Sequence, residues 1–138
     1  MKRRVLIVDD EPSIAKILRK QLEVAGYDVT VAVDGQEGLT KAREGLPELI
    51  VLDVMLPKIG GYEVCSTLKK DTKTQHIPIL MLTAKAQRQD QDIGLQAGAN
   101  AFLTKPFQLE ELLQKAQTLL SQSGGTAATP PTDAAPAA

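Results

Sequence analysis

The chain has 138 residues, 43% of them hydrophobic and 24% charged, with a formal net charge of -1, the balance of a soluble globular domain that can build its own core. That charge gives no general attraction to nucleic acid or an acidic surface, and no apolar run approaches the roughly 20 residues of a membrane helix. The single cysteine, Cys65, excludes an internal disulfide and fits a reducing compartment. The basic start, Met1-Lys2-Arg3-Arg4, reaches Asp9 after only four apolar residues, too few for a signal peptide, so a cytoplasmic protein without a membrane partner is expected.

Val5-Leu6-Ile7-Val8 reads as a short apolar strand that ends in Asp9-Asp10-Glu11. Pro12 suits the first turn of a helix, where its missing N–H costs nothing. Ile14, Ile17, Leu18, Leu22 and Ala25 follow at helical spacing, and Gly26 closes the helix. A second strand is expected over Tyr27 to Ala32, with Val29, Val31 and Val33 alternating. Asp34 can cap the next helix, which carries Leu39 and Ala42 before Gly45 and Pro47 stop it.

Leu49-Ile50-Val51-Leu52 is a run of four aliphatic residues, the pattern of a strand buried on both faces. It meets a carboxylate at Asp53, and Pro57 ends any ladder bonding. After Gly60-Gly61 a helix packs Val64, Cys65 and Leu68. Ile77 to Leu82 reads as a fourth strand ending in Thr83-Ala84, and a polar helix is expected over residues 86–97, with Gly98 as its stop. Ala101-Phe102-Leu103 is a short fifth strand ending at Thr104-Lys105-Pro106. The last helix sets Leu109, Leu112, Leu113, Ala116 and Leu120 on one face, with Glu110 and Glu111 in its favourable first turn. From Ser121 the chain turns to Ser, Gly, Thr, Ala and Pro. The expected organisation is therefore a domain over residues 1–120 and a flexible tail or linker over 121–138.

Five strand–helix units in succession predict an α/β fold: a (βα)5 doubly wound, five-stranded parallel sheet with helices on both faces. All C-terminal strand ends then lie on one edge, where such sheets place their ligands. Asp9, Asp10, Asp53, Thr83 and Lys105 meet there. Three crowded carboxylates repel one another, and a divalent cation with hard oxygen ligands, Mg²⁺, relieves that repulsion. With a lysine and a hydroxyl alongside, a carboxylate nucleophile has the surroundings of a phosphoryl acceptor. Taken singly, each residue has a plainer reading: Asp9-Asp10 as a solvated helix entry, Lys105 as a surface lysine, Phe102 and Cys65 as core, His76 as surface.

The motifs Val8-Asp9-Asp10-Glu11, Asp53-Val54-Met55-Leu56-Pro57, Gly61-Tyr62-Glu63-Val64, Thr83-Ala84 and Lys105-Pro106-Phe107 resemble, in this order, a receiver domain of a two-component response regulator. The resemblance covers residues 3–120 and is similar in extent to the stand-alone chemotaxis regulators, with their flavodoxin-like receiver fold. It implies that Asp53 accepts a phosphoryl group from a sensor histidine kinase or phosphotransfer protein. It also implies Mg²⁺ held by the carboxylates of Asp10 and Asp53 and the backbone carbonyl of Met55, with Asp9 acting through water. Thr83 and Lys105 would contact the phosphoryl oxygens, and Phe102 would be the aromatic switch that moves with Thr83. A cis Lys105-Pro106 peptide and a signalling face formed by the fourth helix, fifth strand and fifth helix follow in the same way. A phosphoacceptor switch of this kind, rather than an enzyme, would control a downstream protein effector without contacting nucleic acid itself, as a monomer or a weak phosphorylation-dependent dimer.

Two departures from the family stand out. Gly60 occupies a loop position where the family usually has Asp, so a changed loop or helix start is expected. Met55 and Lys85, two residues beyond Asp53 and Thr83, offer no carboxylate or carboxamide to orient an attacking water, which predicts slow self-dephosphorylation. Three rival readings make different demands on these residues. A flavodoxin-like cofactor binder would need a phosphate loop where Asp9-Asp10-Glu11 stands. A haloacid-dehalogenase-type phosphatase would need an acid where Met55 stands. A pseudo-receiver that only binds partners would not need the five-residue site. The stated length favours a single-domain regulator over the receiver fragment of a longer one.

Overall fold

The computed structural model describes residues 3–56, 59–83, 98–105 and 107–123. Its elements are β1 (Arg4–Val8), α1 (Pro12–Val24), β2 (Asp28–Ala32), α2 (Gly35–Gly45), β3 (Leu49–Asp53), α3 (Gly61–Lys70), β4 (Ile79–Thr83), β5 (Ala101–Thr104) and a C-terminal helix (Leu109–Ser123). The five strands form one sheet in the order β2-β1-β3-β4-β5, and every neighbouring pair is parallel. This is the doubly wound α/β arrangement that the strand–helix alternation predicts.

Both faces of the sheet are covered, and alternation along each strand sorts the side chains between two cores. Val5, Ile7, Leu49, Val51, Leu80, Leu82 and Leu103 pack with α1 residues Leu18 and Leu22 and with Leu112, Ala116 and Leu120 of the C-terminal helix. Leu6, Val8, Ile50, Leu52, Ile79 and Met81 pack on the other side with Leu39 and Ala42 of α2 and Val64, Cys65 and Leu68 of α3. All five residues of β3 are buried. A strand with one face in each core can tolerate no polar position except at its end, which is where Asp53 stands.

Local chemistry accounts for the boundaries. Pro12 occupies the first turn of α1. Gly26, at φ 104°, provides the left-handed turn after that helix. Asp34 caps α2 by accepting from the Glu37 N–H at 2.8 Å, and Glu37 reaches back to accept from the Val33 N–H. That backbone donor holds the Glu37 carboxyl below its ordinary range.

Several expected positions shift. The second strand starts at Asp28 rather than Tyr27, and Val33 lies beyond its end, 52% exposed. The stop of α2 is Leu46, at φ 44°, and not the adjacent Gly45. The Leu46 N–H bonds to the Ala42 carbonyl, which satisfies one of the helix's last acceptors. The fourth strand runs from Ile79 to Thr83, two residues later at its start than expected. Ile17, expected on the core face of α1, is 51% exposed, and Ala25 is exposed as well. The last helix continues to Ser123. The polar helix expected over residues 86–97, the Lys105-Pro106 peptide and the tail beyond 123 lie outside the described residues.

The departure at Gly60 has a concrete meaning. Gly60 is the N-cap of α3 and provides no side-chain cap, so an acid missing from that loop is a missing cap. A Cβ built on Gly60 meets nothing within 4 Å. Gly60→Asp is therefore expected to stabilise the fold by a few tenths of a kcal/mol, because Asp is preferred over Gly at a cap only by about that amount. Denaturant midpoints of the two proteins check this.

Candidate phosphoacceptor site

The sheet order puts β1 and β3 side by side at its centre, with their C-terminal ends flush: Val8 pairs with Leu52. Residues leaving β1 and residues ending β3 thus share one edge. After β1 the chain turns into α1 and leads to the outer strand β2, while β3 lies on the other side, so this edge is where the winding reverses and a crevice opens.

Asp9, Asp10 and Asp53 meet in that crevice, each offering a carboxylate oxygen, with these atoms all within 4.8 Å of one another. Asp9 and Asp53 are buried and Asp10 is exposed. The two buried acids use the same local device, an Asx turn in which one carboxylate oxygen accepts a backbone N–H two residues on. Asp9 Oδ1 accepts from the Glu11 N–H at 2.9 Å, and Asp53 Oδ1 accepts from the Met55 N–H at 3.0 Å. Each acid therefore presents its other oxygen to the crevice. Asp53 Oδ2 accepts from Lys105 Nζ at 3.2 Å, across 52 positions of sequence. Asp9 Oδ2 is buried and has no hydrogen-bond partner among the described residues.

Burial pushes the Asp9 carboxyl up to about 6, with the nearby Asp53 and Asp10 charges adding to the rise and the Glu11 N–H and Lys105 opposing it. Three carboxylates with one ammonium ion-paired among the described residues leave two negative charges uncompensated when all are ionised. A buried, unpartnered carboxylate oxygen in such a cluster is costly unless a cation or donor meets it. The donor set is all carboxylate oxygen, which fits Mg²⁺ rather than a softer ion.

Thr83 ends β4, where its register partner is Thr104 of β5. Its hydroxyl is buried and, like Asp9 Oδ2, has no partner among the described residues. Lys105 follows directly on β5, and its N–H donates to the Thr83 carbonyl at 2.6 Å. That bond ties the lysine to the hydroxyl-bearing residue. Phe102 sits three residues earlier, opposite Met81, partly buried against the α2–α3 core and outside the acidic cluster. Met55 is 71% exposed at the rim, while His76 is exposed in the turn before β4. Cys65 is fully buried, and burial pushes its thiol up to about 11. Ala84, Lys85 and Pro57 lie outside the described residues.

One residue that shapes the site is not singled out by its chemistry. The N–H of Gly61 donates to the Val54 carbonyl at 3.0 Å. A Cβ on Gly61 would stand 2.7 Å from Val54 Cα and closer still to the Asp53 carbonyl oxygen. Glycine there lets α3 start against the backbone that carries Asp53. The Gly-Gly pair was readable as a loop, but which of the two glycines touches β3 was not.

Residues 5–117 match the response regulator receiver domain, and the chain belongs to that family. It is 48% identical over 120 residues to the DNA-binding dual master transcriptional regulator RpaA of a Synechocystis species, covering 87% of this chain and 50% of that protein. The chain thus spans about half the length of the curated relatives it matches. Among solved structures, a putative response regulator from Chloroflexus aurantiacus superposes with a TM-score of 0.84 at 38% identity, over 88% of this chain and 99% of that one. The receiver domain of a sensor histidine kinase from Pseudomonas aeruginosa, described with a magnesium ion coordinated in its active-site cleft, superposes with a TM-score of 0.82 at 30% identity, over 88% and 99%. No helix among the described residues is long and apolar enough to cross a membrane.

Proposed function

We propose that Asp53 accepts a phosphoryl group from a histidine kinase or phosphotransfer protein, and that the modified domain controls a protein partner. The observation that carries this reading is the pairing of buried Asp53 with Lys105 beside the orphaned oxygen of Asp9. In the transfer, an Asp53 carboxylate oxygen forms a bond to phosphorus as the bond to the donor's imidazole nitrogen breaks and the imidazole departs. Asp10 and Asp53 would hold Mg²⁺ by carboxylate and Met55 by its carbonyl, with Asp9 acting through water. The ion, when bound, neutralises charge on the phosphoryl oxygens. Lys105 moves its ammonium from the free carboxylate to a phosphoryl oxygen, and the unpartnered Thr83 hydroxyl donates to another. Drawing Thr83 towards the phosphoryl group biases the conformational equilibrium in which Phe102 takes part, a coupling of about 1–3 kcal/mol in such switches. The responding face is that of β5, the C-terminal helix and the segment over residues 86–97, where the sequence predicts a helix. The setting is cytoplasmic, with residues 1–120 as receiver and 121–138 as tail or linker, and the state a monomer or a weak phosphorylation-dependent dimer.

The test is intact mass after incubation with acetyl phosphate, with and without Mg²⁺. Wild type is expected to gain one phosphoryl group only with Mg²⁺, and Asp53→Asn to gain none. No gain in a folded wild type would leave a pseudo-receiver that binds partners by shape.

A second reading draws on the half-length coverage of the curated relatives. It makes this domain the receiver half of a longer transcriptional regulator, in which a separate output half meets DNA.

A further inference from the structure

The sequence contains four sulfur-bearing residues, one Cys and three Met, and the structure treats the three it describes very differently. Cys65 and Met81 are fully buried, at 0% exposure, whereas Met55 is 71% exposed. Met1 lies outside the described residues. The reason for the contrast is local. Val54 and Leu56, on either side of Met55, are partly buried against the α2–α3 core, so alternation along the extended chain turns the residue between them outward. Its backbone is nevertheless pinned to the site, because the Met55 N–H donates to Asp53 Oδ1 at 3.0 Å. The one described sulfur open to solvent therefore belongs to the residue hydrogen-bonded to the acceptor carboxylate, on a side chain with three rotatable bonds.

We propose that Met55 is a peroxide-reactive modification site whose oxidation shortens the life of the phosphoryl group on Asp53. The inference rests on the proposed function of Asp53. In the reaction the thioether sulfur attacks one oxygen of a hydroperoxide. An S–O bond forms, the O–O bond breaks, sulfur is oxidised by two electrons to the sulfoxide, and the peroxide is reduced to water or an alcohol. Oxidation changes what Met55 offers the site. A thioether is a weak hydrogen-bond acceptor, whereas the sulfoxide is polar, with an oxygen that accepts well. Loss of the phosphoryl group requires a water oxygen to bond to phosphorus as the bond from phosphorus to the Asp53 carboxylate oxygen breaks and the carboxylate departs, beside the Met55 N–H. The sulfoxide oxygen accepts a hydrogen bond from that water and orients it, as the thioether does not. Burial protects Met81 and Cys65 from the same reagent, and the raised Cys65 thiol leaves little of the reactive thiolate.

The experiment treats the protein with hydrogen peroxide, quenches it, and locates added oxygen by peptide mass mapping. It then loads Asp53 with acetyl phosphate and Mg²⁺, removes the donor, and follows phosphoryl loss by intact mass. Among Met55, Met81 and Cys65, Met55 is expected to gain oxygen first. Oxidised wild type is expected to lose the phosphoryl group about three- to tenfold faster than untreated protein, the worth of one added hydrogen bond. Met55→Leu should give a treated-to-untreated ratio of one, and Met55→Gln, which places a carboxamide oxygen there permanently, should decay faster than wild type without peroxide. Equal decay of treated and untreated wild type, or oxygen added first to Met81 or Cys65, overturns the proposal. So does Met55→Gln decaying at the wild-type rate. Failure of untreated wild type to accept a phosphoryl group at all is a separate result, which overturns the reading of Asp53 and this inference with it.

Discussion

Gly61→Ala is expected to cost about 3 kcal/mol of stability, at the upper end of what overpacking a well-filled site costs. It is also expected to lower the rate at which Asp53 is phosphorylated by more than the loss of fold explains. The added methyl would overlap the Asp53 carbonyl oxygen and stand 2.7 Å from Val54 Cα. Both are backbone atoms, so no side chain can rotate away to make room. The end of β3 and the start of α3 must separate, and Asp53 moves with the former. Its distance to Lys105, now 3.2 Å, and the Asx turn to Met55 both depend on where that backbone lies. Gly60→Ala is the internal control, because a Cβ there meets nothing within 4 Å and exchanging Gly for Ala at this N-cap is expected to cost only about 1 kcal/mol. Denaturant unfolding gives the stability difference. Phosphorylation rates measured well below the unfolding midpoint separate the displacement of Asp53 from a loss of folded protein. Equal behaviour of the two variants would show that α3 does not seat against β3 as described.

The second large effect is electrostatic. The ordinary Asp value is 3.8, and in the folded protein Asp9 is pushed up to about 6. Between those values the native state binds more protons than the unfolded one. Stability contributed by this group is therefore present at low pH and falls as pH rises from about 4 to about 6. Other carboxylates contribute their own slopes, so the informative quantity is the difference between wild type and Asp9→Asn. Asparagine keeps the oxygen that accepts from the Glu11 N–H and removes the charge. Without metal, Asp9→Asn is expected to gain on wild type across that window and to hold a constant advantage above it. Under the proposed reading, Mg²⁺ at neutral pH restores wild type, by about 2.7 kcal/mol at a hundredfold excess over its dissociation constant, and stabilises Asp10→Asn far less. Thermal melts at pH 4 to 7.5, with Mg²⁺ or a chelator, measure both. A wild type that Mg²⁺ does not stabilise would remove the metal from the site.

The repeating architecture is legible because β1, β3 and β4 are short, mostly aliphatic runs, β2 alternates valines with polar residues, and α1, α2, α3 and the C-terminal helix each carry their own spacing of apolar residues. Leu49-Ile50-Val51-Leu52 reads as a two-sided strand, and it is buried throughout. Element ends were less legible. Gly45 and Leu46 compete for the stop of α2, and the usual preference for glycine in a left-handed turn points to the wrong one. It is Leu46 that takes the left-handed conformation, with its N–H on the Ala42 carbonyl. Ile17 fits the apolar spacing of α1, yet half of it is exposed, because spacing describes a stripe and only packing against other elements decides how much of that stripe is covered.

What the sequence by itself determined is which residues could meet: three acids, a threonine and a lysine, each within two residues of the end of an apolar run. A parallel sheet must bring such ends to one edge, so their meeting followed from order. Only the tertiary structure decided how that chemistry is poised. Pairing β1 with β3 buries Asp9 and leaves Asp10 exposed, although the two are neighbours of identical type. The seating of β5 beside β4 carries Lys105 to Asp53, and close contact between backbones selects Gly61 rather than Gly60. Local sequence encodes propensity and turn chemistry. Burial, pKa and contact across 52 positions depend on distances that exist only once the layers are packed.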